Sequence, residues 1–146
     1  MESLIPENQI RELLPQKSPF TMVSHLVKFE EAAITTGLAI EATNIFVEDG
    51  MFNESGMVEN IAQSVALHIS YGYSLKNIKA PVGYIGAIKN IKVFGFSKLN
   101  DFITTEIKVI TEFMGVTLIE GRVICDGEVL MTAQMKTFLS DQPAQA

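Results

Sequence analysis

From Gly56 to Tyr73 the chain runs almost entirely apolar, with one carboxylate near the start of the run. Met57-Val58-Glu59-Asn60-Ile61-Ala62-Gln63-Ser64-Val65-Ala66-Leu67-His68-Ile69 has too few polar residues for a surface helix. A helix that is apolar on most sides is a buried one. Glu59 is therefore the residue to explain. Burying a carboxylate is costly unless it is satisfied, and enzymes use that cost to tune acids and bases. The bland account is that the dipole at a helix start favours a negative charge in the first turn by about 0.3–1 kcal/mol.

The rest of the chain must cover that helix. At 146 residues it is expected to be one domain spanning 1–146. Apolar residues make up 47% of it, which excludes a disordered chain. The net charge of -6 argues against nucleic acid or an anionic membrane surface as the main partner. No apolar run approaches the roughly 20 residues that span a bilayer. Met1-Glu2-Ser3-Leu4 lacks the basic and apolar regions of a secretory leader, so a cytoplasmic location is expected. The single Cys125 cannot form an internal disulfide; it suits a reducing compartment, as a small apolar filler.

Periodicity sketches the elements. Asn8 is placed to cap a short helix over about 8–14 that Pro15 ends. Met22–Phe29 and Ile34–Ala42 read as strands, with a turn at Glu30-Glu31-Ala32. In the second, Ile34, Thr36, Leu38, Ile40 and Ala42 share one face at a period of two. Asn44–Ser55 reads as a loop, and the long helix as about Gly56–Tyr73, its small Ala62, Ser64 and Ala66 admitting a sheet close to its backbone. Beyond Pro81 the period becomes two, giving Tyr84–Phe94, Phe102–Thr111, Val116–Cys125 and Glu128–Phe138 as strands. Asp126-Gly127 is a two-residue hairpin signal. A frayed tail is expected over about 141–146. The order β-β-α-β-β-β-β predicts an α+β architecture, an antiparallel sheet curled around one helix. One sheet cannot enclose a helix on every side. A homodimer or a higher even oligomer, with sheets joined edge to edge, is the economical cover.

Two motifs carry a resemblance over about Ile10–Leu139. Leu14-Pro15-Gln16-Lys17-Ser18-Pro19-Phe20-Thr21-Met22-Val23 resembles the Leu-Pro-His-Arg-x-Pro-Phe-Leu-Leu-Val opening of FabZ-type 3-hydroxyacyl-(acyl carrier protein) dehydratases. Gly56-Met57-Val58-Glu59-Asn60-Ile61-Ala62-Gln63 looks like that family's Gly-Val-x-x-x-Glu-x-Met-Ala-Gln helix start, slightly shortened. The ApeP-like branch, tied to aryl-polyene-type lipid pathways, is similar too. The resemblance implies a hotdog fold; no cofactor is expected, and no metal, since Glu48, Asp49 and Glu54 have no recognised ligand spacing. It implies an acyl thioester on acyl carrier protein or coenzyme A as substrate, within fatty-acid or polyene-type lipid synthesis. It also implies roles. Glu59 matches the acid that handles the departing hydroxyl, Gly56 and Met57 the amide turn that polarises the thioester carbonyl, and Gln63 the helix Gln, which is grouped with the substrate-binding residues.

One part of the family pattern is missing. The Gly-His-Phe-Pro loop that carries the base is replaced by Phe46-Val47-Glu48-Asp49-Gly50-Met51-Phe52-Asn53-Glu54-Ser55, without a His, and Gln16 stands where the first loop has one. Only His25 and His68 remain. His68 follows Glu59 by nine residues, half a turn round the helix at about 100° per residue, and reads as a core or interface histidine. His25 is the internal candidate for the base, provided that its strand turns it inward. A paralogous hotdog partner is the external source of a His. The alternatives are a hotdog thioesterase, with Glu59 activating water, and a non-catalytic acyl-binding or scaffold subunit. Glu48, Asp49 and Glu54 read as a solvated loop. Met51, Met57, Met114, Met131 and Met135 read as core or as the lining of an acyl tunnel beside Glu59. Lys89, Lys92 and Lys98 read as strand-end charges able to meet an acidic carrier protein.

Overall fold

The long helix begins earlier than its apolar run. In the computed structural model, which describes residues 1–143, helix α2 covers Glu54–Leu75. Asn53 caps it, its side-chain oxygen accepting the Gly56 N–H at 2.9 Å. A helix-start Asn satisfies an amide that the helix leaves open, and this fixes the true first turn. Helix α1 covers Glu7–Leu13, after Pro6, so Asn8 lies inside it rather than at its cap.

Strands β1 (His25–Glu30), β2 (Ala33–Ala39), β5 (Pro81–Val93), β6 (Phe102–Phe113), β7 (Val116–Cys125) and β8 (Glu128–Pro143) form one antiparallel sheet in the order β1-β2-β6-β7-β8-β5. This is the α+β arrangement expected from the pattern. Strand β8 runs to Pro143, and the remainder of the expected tail lies outside the described residues. The expected loop over Asn44–Ser55 is corrected: β3 (Val47–Glu48) and β4 (Met51–Phe52) pair there as a small hairpin. Its turn is Asp49-Gly50, with φ of 50° and 75°. Met114-Gly115 and Asp126-Gly127 turn the same way. Two consecutive positive φ values match the right-handed twist of a hairpin, and glycine takes the second without strain.

Helix α2 packs across one face of the sheet. Ile34, Thr36, Leu38 and Ile40 are buried as their alternation predicts, while Ala42 is exposed. Ile61, Met57 and Leu67 of the helix meet Ile103, Ile107, Ile119 and Val123 in one core. The close approach rests on Gly121 of β7, where an ideal Cβ would sit 2.7 Å from Ile61 Cγ2. Met57, Met131 and Met135 are fully buried, but Met51 and Met114 are exposed, Met114 because it occupies a hairpin turn. Strands β1 and β5 are the two edges of the sheet. Tyr84, Ile85, Ile88 and Ile91 on β5, and Phe94 just past its end, are exposed apolar side chains. Among the described residues no helix is long and apolar enough to cross a membrane.

Candidate active site at the start of the central helix

Because α2 starts at Glu54, Glu59 stands in its second turn, and Glu54 is the acidic residue of the first. The dipole account of Glu59 loses its ground, since that effect falls off within the first turn. Gly56 is buried at the third position. An ideal Cβ there would lie 2.5 Å from Phe52 Cε1 and 2.7 Å from Phe46 Cβ. The absent side chain is what lets the β3–β4 hairpin close on the helix start.

One turn on, the helix carries a buried polar cluster. Asn60, Gln63 and Ser64 are fully buried. Asn60 Nδ2 donates to the Met22 carbonyl at 2.8 Å, and its Oδ1 accepts the hydroxyl proton of Thr105 on β6. Gln63 Oε1 accepts the Met22 N–H at 2.6 Å, and Gln63 Nε2 donates to the Phe20 carbonyl at 2.8 Å. Ser64 donates to the Asn60 carbonyl and pairs with Thr36 of β2 at 2.7 Å. Both backbone polar groups of Met22 are thus satisfied by helix side chains. This is how buried backbone outside a sheet escapes the cost of an unmet hydrogen bond.

Glu59 borders this cluster and is only partly buried. It lies one helical turn before Gln63, and Gln63 Nε2 donates to Glu59 Oε1 at 3.0 Å. Glu59 and Gln63 are thus brought together. The amides of Gly56 and Met57 are already engaged, by the side chain and the carbonyl of Asn53 respectively.

His25 is placed elsewhere. Thr36 faces the helix through Ser64, so Gly37 faces the other side of β2. An ideal Cβ on Gly37 would meet the Phe102 ring and lie 3.2 Å from His25 Cβ. His25 therefore lies on the outer face, edge-on to Phe102 at 5.0 Å between ring centres, with Nδ1 2.8 Å from Ser24 Oγ. The strand does not turn it inward, and it does not join Glu59 within one chain. His25 lines a groove of about 350 Å³ of mixed character, with Arg11, Ser24 and Glu41 beside Met22 and Leu38; Glu59 does not line this groove. His68 leaves the Glu59 face as expected, donating from Nε2 to the Glu30 carbonyl at 2.9 Å beside Phe29.

Asp101, Cys125 and Asp126 bring three potential ligand atoms within 4.8 Å of one another near the β7–β8 turn. Burial pushes the Cys125 thiol up to about 11, and the Asp101 and Asp126 carboxylates push it the same way. The Lys98 N–H already holds an oxygen of Asp101. Two partners of the site went unnoticed in the sequence, Asn60 and Thr105. The signal for Asn60 was present, a polar residue beside Glu59 in an apolar run. Thr105 gave none, because a strand Thr looks alike whether or not it bonds a helix.

The family model described as ApeP dehydratase, in the ApeP-like family, matches residues 8–146. The FabZ 3-hydroxyacyl-(acyl carrier protein) dehydratase of Ruminiclostridium cellulolyticum is 23% identical over 136 residues, covering 91% of this chain and 96% of that one. The FabZ dehydratase of Pasteurella multocida is 25% identical over 139 residues, covering 87% and 90%. In structure, the chain resembles the dehydratase heterocomplex ApeI:P from Xenorhabdus doucetiae, at a TM-score of 0.81 and 12% identity over 94% and 93% of the two chains. It also resembles a hypothetical thioesterase with coenzyme A from Streptococcus pneumoniae, at a TM-score of 0.66 and 14% identity over 82% and 88%. These likenesses establish the hotdog fold for the six-stranded sheet and its long helix.

Proposed function

The chain belongs to the ApeP-like dehydratase family, and from that premise we propose that it is one half of a composite acyl-thioester dehydratase site. Glu59 supplies the carboxyl group. A second hotdog chain supplies the base and covers the β5 edge of the sheet. The observation that carries this reading is the division within the chain, with Glu59 held beside the buried cluster on α2 and His25 on the outer face of the sheet. Dehydration removes a proton from C2 of a 3-hydroxyacyl thioester and delivers one to the hydroxyl leaving C3, giving the 2-enoyl thioester and water. In this reading Glu59 gives the second proton, and a base on the other chain takes the first. A placed acid or base is typically worth 10²–10⁴-fold.

The thioester carbonyl would then meet the positive end of α2. Since Asn53 holds the Gly56 and Met57 amides, the first two amides, of Glu54 and Ser55, are those that helix geometry leaves open to it. The outer edge of β5, apolar and without a strand partner among the described residues, is the surface on which a second hotdog chain would sit, whether a copy of this one or a paralogue. The carrier would be acyl carrier protein or coenzyme A, in a cytoplasmic pathway of fatty-acid or polyene-type lipid synthesis. The test is turnover of a 3-hydroxyacyl thioester by the purified chain, alone and titrated with a hotdog dehydratase chain that keeps a loop His. Slow or no turnover alone and rising turnover to one equivalent support the composite site. No gain with any such partner leaves the non-catalytic acyl-binding reading.

A further inference from the structure

The outer face of the sheet is basic, although the chain is acidic. The strand register carries two outward rows across all six strands. One is Lys28, Thr35, Glu106, Arg122, Thr132 and Lys92; the other is Glu30, Ala33, Lys108, Glu120, Gln134 and Lys89. The residues that alternate with them, such as Thr36, Thr105, Val123 and Met131, are buried toward the helix. With Lys136, these strands turn outward six of the chain's eleven Lys and Arg but three of its seventeen Asp and Glu. The face therefore carries +3 where the whole chain carries -6. All six cations are exposed, while Glu106 and Glu120 are half-buried. Lys28 pairs with Glu30 and Arg122 with Glu106; Lys89, Lys92, Lys108 and Lys136 hold no ion pair among the described residues.

Toward one end the face turns apolar. Lys136 stands beside Leu118, and Tyr84, Phe138, Val116 and Phe113 form the next outward row. Phe113 is 72% exposed, and Met114 at the tip of the β6–β7 hairpin 85%. Glu112, between them and the strand, pairs with Thr117 on the other face. A protein–protein interface encloses an apolar centre in a polar rim. Here the apolar group lies at the free end, and Lys136 stands two residues behind Phe138, roughly 7 Å along the strand. That layering by depth matches a lipid surface, where apolar groups enter about 5–10 Å and amines meet the phosphates. We propose that the outer face and the β6–β7 tip seat this chain on an anionic lipid surface, with Phe113 and Met114 inserted and Lys89, Lys92, Lys108 and Lys136 over the headgroups. Charges more than about 8 Å away are largely screened at physiological salt, so the face, rather than the net charge, decides the contact. A second chain at the β5 edge leaves the face open, because paired strands lie side by side. Glu59 lies on the helix that packs the other face.

The test is co-sedimentation of the intact chain with vesicles of phosphatidylcholine alone and of equal parts phosphatidylcholine and phosphatidylserine. Binding should require phosphatidylserine and weaken as salt rises. A Lys near such a surface is worth about fivefold in partitioning, so Lys89→Gln, Lys92→Gln and Lys136→Gln together should lose about a hundredfold. Lys98→Gln, outside these strands, makes the same kind of charge change and should stay within about twofold. Phe113→Ser with Met114→Ser should lose more than about tenfold. All of these side chains are exposed, so the fold should persist in each variant, and circular dichroism checks it. No binding to the phosphatidylserine vesicles at low salt, equal binding to both vesicles, or binding that survives the triple Lys substitution overturns the proposal. Binding unchanged by Phe113→Ser and Met114→Ser overturns the inserted tip. A chain that ignores vesicles but binds polyglutamate through the same lysines also overturns it, and makes the face a seat for an acidic protein.

Discussion

His25 and Glu59 lie on opposite sides of the sheet, His25 edge-on to Phe102 on the outer face and Glu59 on the helix that packs the inner one. Within one chain no hydrogen bond joins the two among the described residues, and each keeps other partners, Ser24 for His25 and Gln63 for Glu59. Replacing His25 by Ala should therefore leave turnover of an active pair within about twofold, whereas removing a true general base loses 10²–10⁴-fold. Steady-state rates of the His25→Ala pair, set beside the wild type, check this. A hundredfold loss would place His25 in the site after all.

Asn60 ties three elements together, and its loss should register in stability before anything else. Asn60→Ala leaves the Met22 carbonyl and the Thr105 hydroxyl without their partner in a dry interior. An unmet buried group costs about 1–3 kcal/mol, so with two such groups a loss of about 2–6 kcal/mol is expected. Chemical denaturation measures it. A change below about 1 kcal/mol would show that the cluster does not brace the loop.

Gly56→Ala should destabilise by about 1–3 kcal/mol, the usual cost of overpacking. The added methyl enters the space of Phe52 and Phe46. Phe52→Leu in the same chain should recover part of the loss, because the nearest contacts are ring atoms. Thermal melts of the single and double variants read this coupling directly; simple additivity would mean that the hairpin moves aside freely.

Sheet and helix were legible in the sequence because apolar spacing reports which face is covered. Ile34, Thr36 and Leu38 alternate and are buried as they alternate. Val116–Cys125 has the bounds expected of it. The helix start was not legible, because apolar character marks the buried stretch, whereas Asn53 and Glu54 begin the helix by capping chemistry. The β3–β4 hairpin carries the same Asp-Gly signal as Asp126-Gly127, but its strands are two residues long and show no period. Glu59 stood out as a charge in an apolar run. The face of His25 did not, because one step along a strand reverses it.

Cys125 should resist thiol reagents at neutral pH. Its thiol is pushed up to about 11, first by burial and then by the Asp101 and Asp126 carboxylates, so little thiolate is present. In the unfolded chain the thiol ionises near its ordinary value, about 8.5. Between that pH and about 11 the unfolded state gives up the proton first, and stability should fall as pH rises. Denaturation midpoints across this range, with Cys125→Ala as the control lacking that contribution, check it; an equal slope in both would remove Cys125 as the cause.

The most direct measurement is the dehydration rate of a 3-hydroxyacyl thioester by this chain paired with a His-bearing hotdog subunit, with Glu59 intact and with Glu59→Gln. The substitution keeps the size of the side chain and removes the titrating group. If Glu59 is the carboxyl of a composite site, the paired rate falls by 10²–10⁴-fold while the complex still assembles. A paired rate unchanged by Glu59→Gln would show that the chemistry belongs wholly to the other subunit, and would contradict the account.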